Sequence, residues 1–567
     1  MGNIIALLLF GWVCALFMRT FLGIFISPRE NSEGSGGSMF FSLFGNIFKA
    51  LWNLMSLTVK FFASSLWGIF KWACIYVGRF LWNLRGKDTR FGTARFASKR
   101  EMKKVLHHKH KGLSVDGTLK NRLTEQASFS HMLVTASSGR GKTSCYVVNN
   151  ILMLGKEKQS IVCSDPSGEL HTLTSGYLKK RGYKVKVLDI TNIEHSMHYN
   201  PMSHLHSAQD VSAFAATLIN SMYGDDKMEG GTFWNNGAIT IIEIFTNLLL
   251  SCYEPKFQNI PNVYYLIRNF GTDGSRLAPL FTHKSVPNEL FLEYQAFCNQ
   301  SEKVMLSMLS TARMALKVLQ PLFPIMTKDT LAFRTLRNQP TVLYVKCRES
   351  LLSHYGFIFN IFYSQLFDFF TEDLSPKPKS VYVLLDEAGN LGNIGSDFSA
   401  TLTTLRKYRV SISLILQNMN QFIHTFGEAQ ASTIISNTAS KIFFPGMDIE
   451  SAEKIEKLLG DQTLTDVDIR TQKTSDPYQR PLYYADEIRR LEPFTGLLFH
   501  SNERPIKLAF SPYYKNRSFK KMTKKAPVAP AQNTWAPIEY IPLPQVVHSS
   551  TQNTKAGNNK QYPPFGI

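Results

Sequence analysis

Cysteine is scarce in this sequence, and its spacing matches no zinc or redox motif. The chain has seven cysteines, at positions 14, 74, 145, 163, 252, 298 and 347. None belongs to a Cys-x-x-Cys or Cys/His arrangement. The sequence therefore predicts buried, reduced thiols in a cytosolic body.

Acidic residues are also few relative to basic ones. The 567 residues include 63 lysines and arginines but only 43 aspartates and glutamates, which gives a formal net charge of +20. This surplus predicts attraction to polyanions, and charge alone does not choose between nucleic acid and anionic lipid headgroups. Hydrophobic residues make up 44% of the chain, which suits globular domains together with a membrane portion.

The first apolar run lacks the preceding positive charge that a cleaved signal peptide requires. Residues 4–26 are apolar except for Arg19 and Thr20. At about 1.5 Å per residue, a helix of this length crosses a hydrocarbon core of about 30 Å. We therefore predict a retained transmembrane helix within residues 1–26, followed by a short external turn at 27–38.

A second membrane segment is predicted at residues 39–84. It is rich in aromatic residues, and Lys49, Lys60 and Lys71 place three positive charges on one face of a helix. Such a helix can span the membrane with snorkelling lysines, or it can lie in the interface. The ten lysines and arginines between residues 85 and 111 then predict an integral protein of the cell membrane whose remaining chain is cytoplasmic.

Residues 131–150 carry the main chemical signal, an apolar strand followed by a small-residue loop and a helix-compatible stretch. This order is the one that a P-loop requires, with Lys142 neutralising the β- and γ-phosphates and Thr143 binding Mg²⁺. Ala136 stands where the GxxxxGK[ST] pattern has its first glycine, so the loop is expected to differ in detail. The predicted nucleotide-binding residues are Ser137, Ser138, Gly139, Arg140, Gly141, Lys142, Thr143 and Ser144.

An apolar run at residues 380–385 ends in Asp386 and Glu387 and predicts a buried parallel strand. At the end of such a strand, Asp386 can hold Mg²⁺ and Glu387 can polarise an attacking water. An apolar strand that ends in an acid is common, so the signal gains its strength from the P-loop upstream. Together the two motifs predict ATP and Mg²⁺ as cofactors.

Five further strand-like runs fit the same parallel sheet, at residues 160–164, 184–189, 341–346, 410–416 and 440–444. Functional residues are expected at the C-terminal ends of such strands. Asp165 and Gln417 lie there, and Gln417 is a candidate sensor of the γ-phosphate. The predicted fold class is α/β, with a nucleotide-binding domain in two parts, residues 85–201 and 339–514.

Residues 202–338 separate these two parts and are predicted to form an inserted all-α domain. Val211, Phe214 and Leu218 follow helical spacing, as do the apolar residues between 304 and 315. The chain from 515 to 567 is first basic and then rich in proline, asparagine and glutamine. This composition predicts a disordered tail.

These motifs together resemble the VirD4/TraG family of type IV secretion coupling proteins. The resemblance runs from about Phe91 to Phe510, over most of the predicted cytosolic part. Besides the P-loop, it includes FGTARFAS at 91–98, DPSGEL at 165–170, YNPM at 199–202, FWNNGA at 233–238, LLDEAGNLG at 384–392 and LILQNMNQF at 414–422. Several ordered motifs at compatible spacing are more specific than any one of them.

The resemblance implies a RecA-like motor with N-terminal transmembrane helices, assembled as a homohexamer. It implies DNA-stimulated ATP hydrolysis that passes relaxase-bound single-stranded DNA to the components of a type IV secretion channel. The family uses an arginine from the neighbouring subunit, and Arg406 is the first matching candidate, with Arg409 the second. The predicted catalytic residues are Glu387, Lys142, Gln417 and Arg406.

Two other functions fit parts of the pattern. A membrane-anchored DNA translocase for chromosome segregation would share the ATPase core, but no compact DNA-reading module is evident after Phe510. A non-hydrolysing receptor for secretion substrates would use nucleotide only to set its assembly state. Such a receptor has no need of Glu387.

Overall fold

The computed structural model describes residues 70–74, 76–77, 89–223, 231–283, 285–373, 375–390, 398–465, 475–530, 532–533 and 535–544. The predicted first transmembrane helix, the external turn and most of the second membrane segment lie outside these residues. Among the described residues, no helix is both long and apolar enough to cross a membrane. The chain divides into two compact units, Met1–Asp88 and Thr89–Ile567, and the elements below belong to the second.

Eleven strands are found in the described part of the second unit. They are β1 (Met132–Thr135), β2 (Ser160–Ser164), β3 (Lys184–Asp189), β4 (Thr341–Lys346), β5 (Val381–Asp386), β6 (Val410–Leu416), β7 (Ser440–Phe443), β8 (Asp461–Leu464), β9 (Tyr478–Pro481), β10 (Thr495–His500) and β11 (Ile506–Ala509). Nine of them form one sheet in the order β11-β10-β7-β1-β6-β5-β2-β4-β3. The seven strands from β7 to β3 are parallel, whereas β10 and β11 are antiparallel.

The helices surround this sheet on both faces. They are α1 (Lys99–Val105), α2 (Glu125–Ser128), α3 (Val148–Glu157), α4 (Glu169–Lys180), α5 (Ala208–Tyr223), α6 (Gly231–Cys252), α7 (Ile260–Arg268), α8 (Asn288–Cys298), α9 (Glu302–Lys317), α10 (Thr335–Asn338), α11 (Glu349–Glu372), α12 (Phe398–Leu405), α13 (Met419–Phe426), α14 (Glu428–Asn437), α15 (Ile449–Leu459), α16 (Ala485–Arg489) and α17 (Arg517–Thr523). Helices α5 to α10 lie in the chain between β3 and β4, where the sequence predicts an all-α insertion.

Each strand predicted from the sequence is present, so the α/β fold class with a large parallel sheet is confirmed. The antiparallel strands β10 and β11 and the β8–β9 ribbon were not predicted. In β11 the alternation of buried and exposed residues extends over only four positions, from Ile506 to Ala509. A pattern this short is too weak to distinguish a strand from a loop.

The inserted helices share one continuous hydrophobic core with the sheet. The predicted stripe of Val211, Phe214 and Leu218 on α5 is buried, and it belongs to the same cluster as Leu133 of β1 and Val162 of β2. The insertion therefore joins the core on one sheet face, where α5 packs against α11. The other sheet face is covered by α3, α4 and α17, with residues 102–129 beside them.

The C-terminal segment differs from the predicted disordered tail over its described part. Phe519 of α17 is fully buried. Beyond it the chain crosses from the sheet to the insertion, since Val528 N–H donates to Ser175 Oγ (3.0 Å) and Ile541 N–H donates to Asn262 Oδ1 (2.8 Å). Ile541 is only 1% exposed. We call the described residues between 525 and 543 the C-terminal strap. Its apolar residues have no periodicity, so the sequence pattern did not predict that this segment is packed.

Candidate functional site

The candidate site lies at the C-terminal edge of four neighbouring parallel strands, β1, β6, β5 and β2. The P-loop follows β1, Gln417 follows β6, Asp386 ends β5 and Asp165 follows β2. Because parallel strands end at the same edge of a sheet, these residues converge although they are far apart in sequence. The long insertion does not separate them, since it leaves and re-enters the sheet between β3 and β4.

The P-loop accommodates Ala136 without strain. Ala136 is buried, has no positive φ, and its N–H donates to the carbonyl of Leu416 (3.0 Å). The left-handed backbone conformation falls instead on Gly139 (φ 73°) and Gly141 (φ 92°). The departure from the usual pattern is therefore at a position where this loop has no need of glycine.

The loop passes into its helix through a widened first turn. Residues Thr143–Val147 form a π-helical turn before α3, and the N–H of Cys145 donates to the carbonyl of Gly141 (2.7 Å). Such turns are rare and occur mostly at functional sites. Two other loop side chains are directed elsewhere, because Ser137 Oγ donates to the carbonyl of Gly446 (2.7 Å) and Arg140 lies against the same glycine.

Four predicted residues meet at the centre of the site. Lys142 Nζ lies 3.8 Å from Glu387 Oε1, and Gln417 Nε2 donates a hydrogen bond to the same oxygen. Asp386 lies beside them and is buried. Glu387 has φ 60°, a conformation that costs a non-glycine residue about 1–3 kcal/mol. The strained backbone directs its carboxylate toward Lys142 and Gln417.

Three buried polar atoms at this centre have no hydrogen-bond partner among the described residues: Lys142 Nζ, Asp386 Oδ1 and Glu387 Oε2. Such atoms are costly unless a ligand satisfies them. They border a cavity of about 520 Å³, which Thr143 also lines. A cation and two carboxylate oxygens fit a nucleotide phosphate and a hard divalent metal ion, so Thr143 and Asp386 could hold Mg²⁺.

Burial raises the pKa of both aspartates at the cavity. Burial raises the pKa of Asp386 to about 6, while the nearby Lys142 opposes this shift. Burial also raises the pKa of Asp165, although the N–H groups of Leu170 and His171 donate to its carboxylate (3.0 and 2.8 Å). Asp165 therefore caps α4 at the cavity wall, whereas Asp386 keeps a carboxylate oxygen free for a ligand.

Arg406 and Arg409 lie at the opposite edge of the sheet from this centre. Both precede β6, whereas Gln417 follows it, and seven residues of strand span about 23 Å. Arg409 is held within its own chain by Ser380 Oγ (3.1 Å) and Glu125 Oε2 (3.4 Å). Arg406 is exposed and forms no ion pair in the described part of the chain. Neither arginine reaches the cavity of its own subunit.

Three cavity residues were missed from the sequence. Arg348, Glu349 and Ser350 line the cavity just after the C-terminal end of β4. The rule that ligands bind at the C-terminal ends of parallel strands pointed to them, because β4 was predicted at its observed position. The charges of Arg348 and Glu349 alone gave no signal.

The chain is similar to proteins of conjugative DNA transfer. Residues 87–534 match the family described as Type IV secretory system Conjugative DNA transfer. The VirD4 proteins of Rhizobium radiobacter and Rhizobium rhizogenes are each 24% identical to this chain, over 420 and 422 residues. These alignments cover 70% and 69% of this chain, but 58% and 60% of those proteins. The chain thus spans less than two thirds of the length of these relatives.

Similar solved structures include several forms of the conjugative coupling protein TrwB. The unbound form has a TM-score of 0.57 at 16% identity and covers 74% of this chain and 95% of its own. The complex with the ATP analogue ADPNP has a TM-score of 0.58 at 15% identity, covering 79% and 99%. The complex with ADP and Mg²⁺ has a TM-score of 0.56 at 16% identity, covering 74% and 96%. At these identities the likeness is one of fold.

Proposed function

This chain belongs to the type IV secretory system conjugative DNA transfer family, and we propose that it is the membrane-anchored ATPase that couples DNA to the secretion channel. In this proposal it recruits relaxase-bound single-stranded DNA and drives its transfer by ATP hydrolysis. The N-terminal apolar segments anchor it in the cell membrane, and the cytoplasmic part assembles as a homohexamer.

The observation that carries the proposal is the group of three buried polar atoms without partners. Lys142 Nζ, Asp386 Oδ1 and Glu387 Oε2 face one cavity from the ends of β1 and β5, which have β6 between them in the sheet. An isolated structural role would leave these atoms unsatisfied at a cost of about 1–3 kcal/mol each. A bound nucleotide with Mg²⁺ supplies a partner to every one of them. TrwB, which shares the fold, has been solved with ADP and Mg²⁺.

Each residue then has a distinct role. Lys142 binds the β- and γ-phosphates, and the backbone of residues 137–144 surrounds them with N–H donors. Thr143 and Asp386 would hold Mg²⁺, which would supply positive charge beside the phosphates. Glu387 orients and polarises the attacking water. Gln417 donates to Glu387 Oε1 and orients this carboxylate for the task.

The proposed trans arginine is Arg406. Its exposure and its lack of an ion pair in the described part of the chain leave it available to a neighbouring subunit. Arg409 already donates to Ser380 Oγ and forms an ion pair with Glu125. In the proposed ring, Arg406 of one subunit contributes its charge to the cavity of the next, where it stabilises the transition state.

The test is plasmid transfer between cells by variants expressed at equal level. Lys142→Ala and Glu387→Gln should each abolish transfer, because the first removes phosphate binding and the second removes the water-activating carboxylate. Lys303→Ala and Glu302→Gln make the same chemical changes at exposed positions of α9 and serve as controls. Transfer at the unchanged level by Glu387→Gln would support the receptor function, in which ATP is not hydrolysed.

A further inference from the structure

Much of the positive charge of this chain is concentrated on three segments whose basic residues do not line the nucleotide site. Residues 99–125, 156–181 and 517–525 contain 18 lysines and arginines but only six acidic residues. Their surplus of 12 charges is more than half of the formal +20 of the whole chain. We call the exposed surface of these segments the basic face.

The three segments are contiguous in space, on the sheet face that α3, α4 and α17 cover. His107 N–H donates to the carbonyl of Arg122 (3.0 Å), and Arg122 pairs with Glu157 (2.9 Å) at the end of α3. Next to Glu157, Lys156 Nζ lies 5.5 Å from the centre of the Phe519 ring on α17. Arg181 then reaches the carbonyl of Lys156 (3.1 Å) from the end of α4. The basic face is therefore a single patch.

The acidic residues within these segments do not neutralise the basic face. Asp116 and Asp165 are buried. Glu101, Glu125 and Glu157 are paired with Arg95, Arg409 and Arg122. Glu169 begins α4, at the opposite end of that helix from its basic residues. The surface potential of this patch is therefore strongly positive.

Most basic side chains of the patch are exposed and available to a partner. They form no ion pair with any residue that the structure describes. The exposed ones are Lys99, Arg100, Lys103, Lys104, Lys109, Lys111, Lys120, Lys158, Lys179, Lys180, Arg181, Arg517, Lys520, Lys521 and Lys524. A patch of this size without counter-charges is suited to an extended anionic surface rather than to one small ligand.

The composition of the patch favours lipid over single-stranded nucleic acid. Single-strand binding combines positive charge with exposed aromatic rings on which bases stack. In the three segments the only phenylalanine and tyrosine are Phe519 and Tyr177, and both are buried. Fourteen of the 18 basic residues are lysines, which act as point charges, whereas arginine provides the planar fork for paired contacts with phosphate.

The position of the patch also favours a membrane. The first of its segments begins at Lys99, only 15 residues after the apolar stretch that ends near residue 84. The basic ends of α3 and α4 lie at the sheet edge opposite the nucleotide site, because both helices begin at that site. We propose that the basic face binds the anionic phospholipid headgroups of the cytoplasmic leaflet, which attract clusters of lysine next to a membrane segment. This inference rests on the proposed membrane anchoring.

The test measures acylation rates of individual lysines in the full-length chain within lipid nanodiscs. One preparation contains phosphatidylcholine alone, and the other contains phosphatidylcholine with about one third phosphatidylglycerol. Labelling of Lys103, Lys104, Lys179 and Lys180 should be at least about threefold slower in the anionic discs. It should recover in 1 M NaCl, where the screening length falls to about 3 Å. Lys303 and Lys317, exposed on α9, should label equally in both discs.

A charge-reversal pair supplies the matched comparison. Lys520→Glu with Lys521→Glu should reduce the protection of the remaining face lysines, whereas Lys303→Glu with Lys317→Glu changes the net charge equally and should not. Equal labelling in both discs would overturn the proposal. Protection that appears only with added DNA would overturn it in favour of nucleic acid.

Failure of the membrane anchor is recognised separately. A chain that does not enter phosphatidylcholine discs would contradict the proposed anchoring. The full-length chain would then be sedimented with vesicles, where the lipid proposal requires binding to phosphatidylglycerol vesicles and none to phosphatidylcholine vesicles. Absence of binding to both would overturn the lipid proposal as well.

Discussion

Gln417 donates a hydrogen bond from Nε2 to Oε1 of Glu387, which links the ends of two adjacent parallel strands. The same carboxylate oxygen lies 3.8 Å from Lys142 Nζ. One acidic side chain thus connects the P-loop to the residue that follows β6. A phosphate bound by Lys142 would therefore lie next to the carboxylate that Gln417 contacts.

The first prediction concerns this contact. Gln417→Ala should lower the rate of ATP hydrolysis about 10- to 100-fold, because Glu387 loses the group that orients it. Nucleotide affinity should remain nearly unchanged, since Lys142 and the loop are intact. Single-turnover hydrolysis and equilibrium nucleotide binding measure the two quantities. Gln320→Ala, at an exposed position of the insertion, is the control. An equal loss of affinity and rate would contradict the orienting role.

The P-loop supplies a second prediction. Ala136→Gly should restore the usual motif yet destabilise the protein by about 0.5–1 kcal/mol, because glycine adds freedom to the unfolded chain. Gly141→Ala should weaken nucleotide binding, since an alanine at φ 92° strains the loop. Chemical denaturation and nucleotide titration test the pair. Tighter nucleotide binding by Ala136→Gly would show that the alanine perturbs the loop after all.

A third prediction concerns pH and His131, which precedes β1. Its Nε2–H donates to the carbonyl of Leu402 (2.6 Å), and its Nδ1 accepts from the N–H of Ile412 (3.1 Å). Burial lowers the pKa of His131 from 6.5 to about 4, and the charge of Arg406 acts in the same direction. The fold therefore favours the neutral ring. Its contribution to stability is complete above pH 6.5 and is lost as the pH falls from 6.5 to 4.

The loss amounts to about 3 kcal/mol of unfolding free energy for this one group. Denaturation of His131→Gln at pH 7 and at pH 4.5 should therefore show a smaller difference than the unmodified chain shows. His108→Gln, at an exposed histidine, should keep the full difference. Parallel curves for all three proteins would exclude His131 as the titrating group.

The C-terminal strap provides a fourth prediction. Ile541 is fully enclosed against the insertion, so Ile541→Ala should lower the unfolding free energy by about 2–5 kcal/mol. Hydrogen exchange should become faster in α7, whose Asn262 accepts the strap N–H. Ile449→Ala, at a position that is 46% exposed, should change neither quantity by more than about 0.5 kcal/mol. An unchanged α7 would mean that the strap does not support the insertion.

The sequence predicted the parallel sheet well because its strands are buried on both faces. Continuous apolar runs such as Val381–Asp386 and Val410–Leu416 stand out from their surroundings. The centre of the site followed from the same strands, since Lys142, Glu387 and Gln417 each lie just beyond one of them. For these residues the apolar sequence pattern and the position in the folded sheet indicate the same site.

The remaining features depend on contacts that no local pattern records. The strap is fixed by scattered apolar residues such as Ile541, which lie among prolines and follow no sustained helix or strand period. Whether Ala136 can replace the usual glycine depends on the backbone angles at this position, which the motif does not encode. Arg406 precedes β6, so it lies at the end of this strand opposite the nucleotide site. The sequence motif alone did not give this location.

We propose that this chain hydrolyses ATP in response to DNA. The most direct test is the rate of ATP hydrolysis by the full-length chain, with and without single-stranded DNA, beside Lys142→Ala and its control Lys303→Ala. We expect DNA to stimulate ATP hydrolysis clearly. Lys142→Ala should abolish this stimulation and Lys303→Ala should retain it. No turnover by a chain that nevertheless binds both ATP and DNA would contradict this proposal, and would indicate a receptor whose nucleotide is structural.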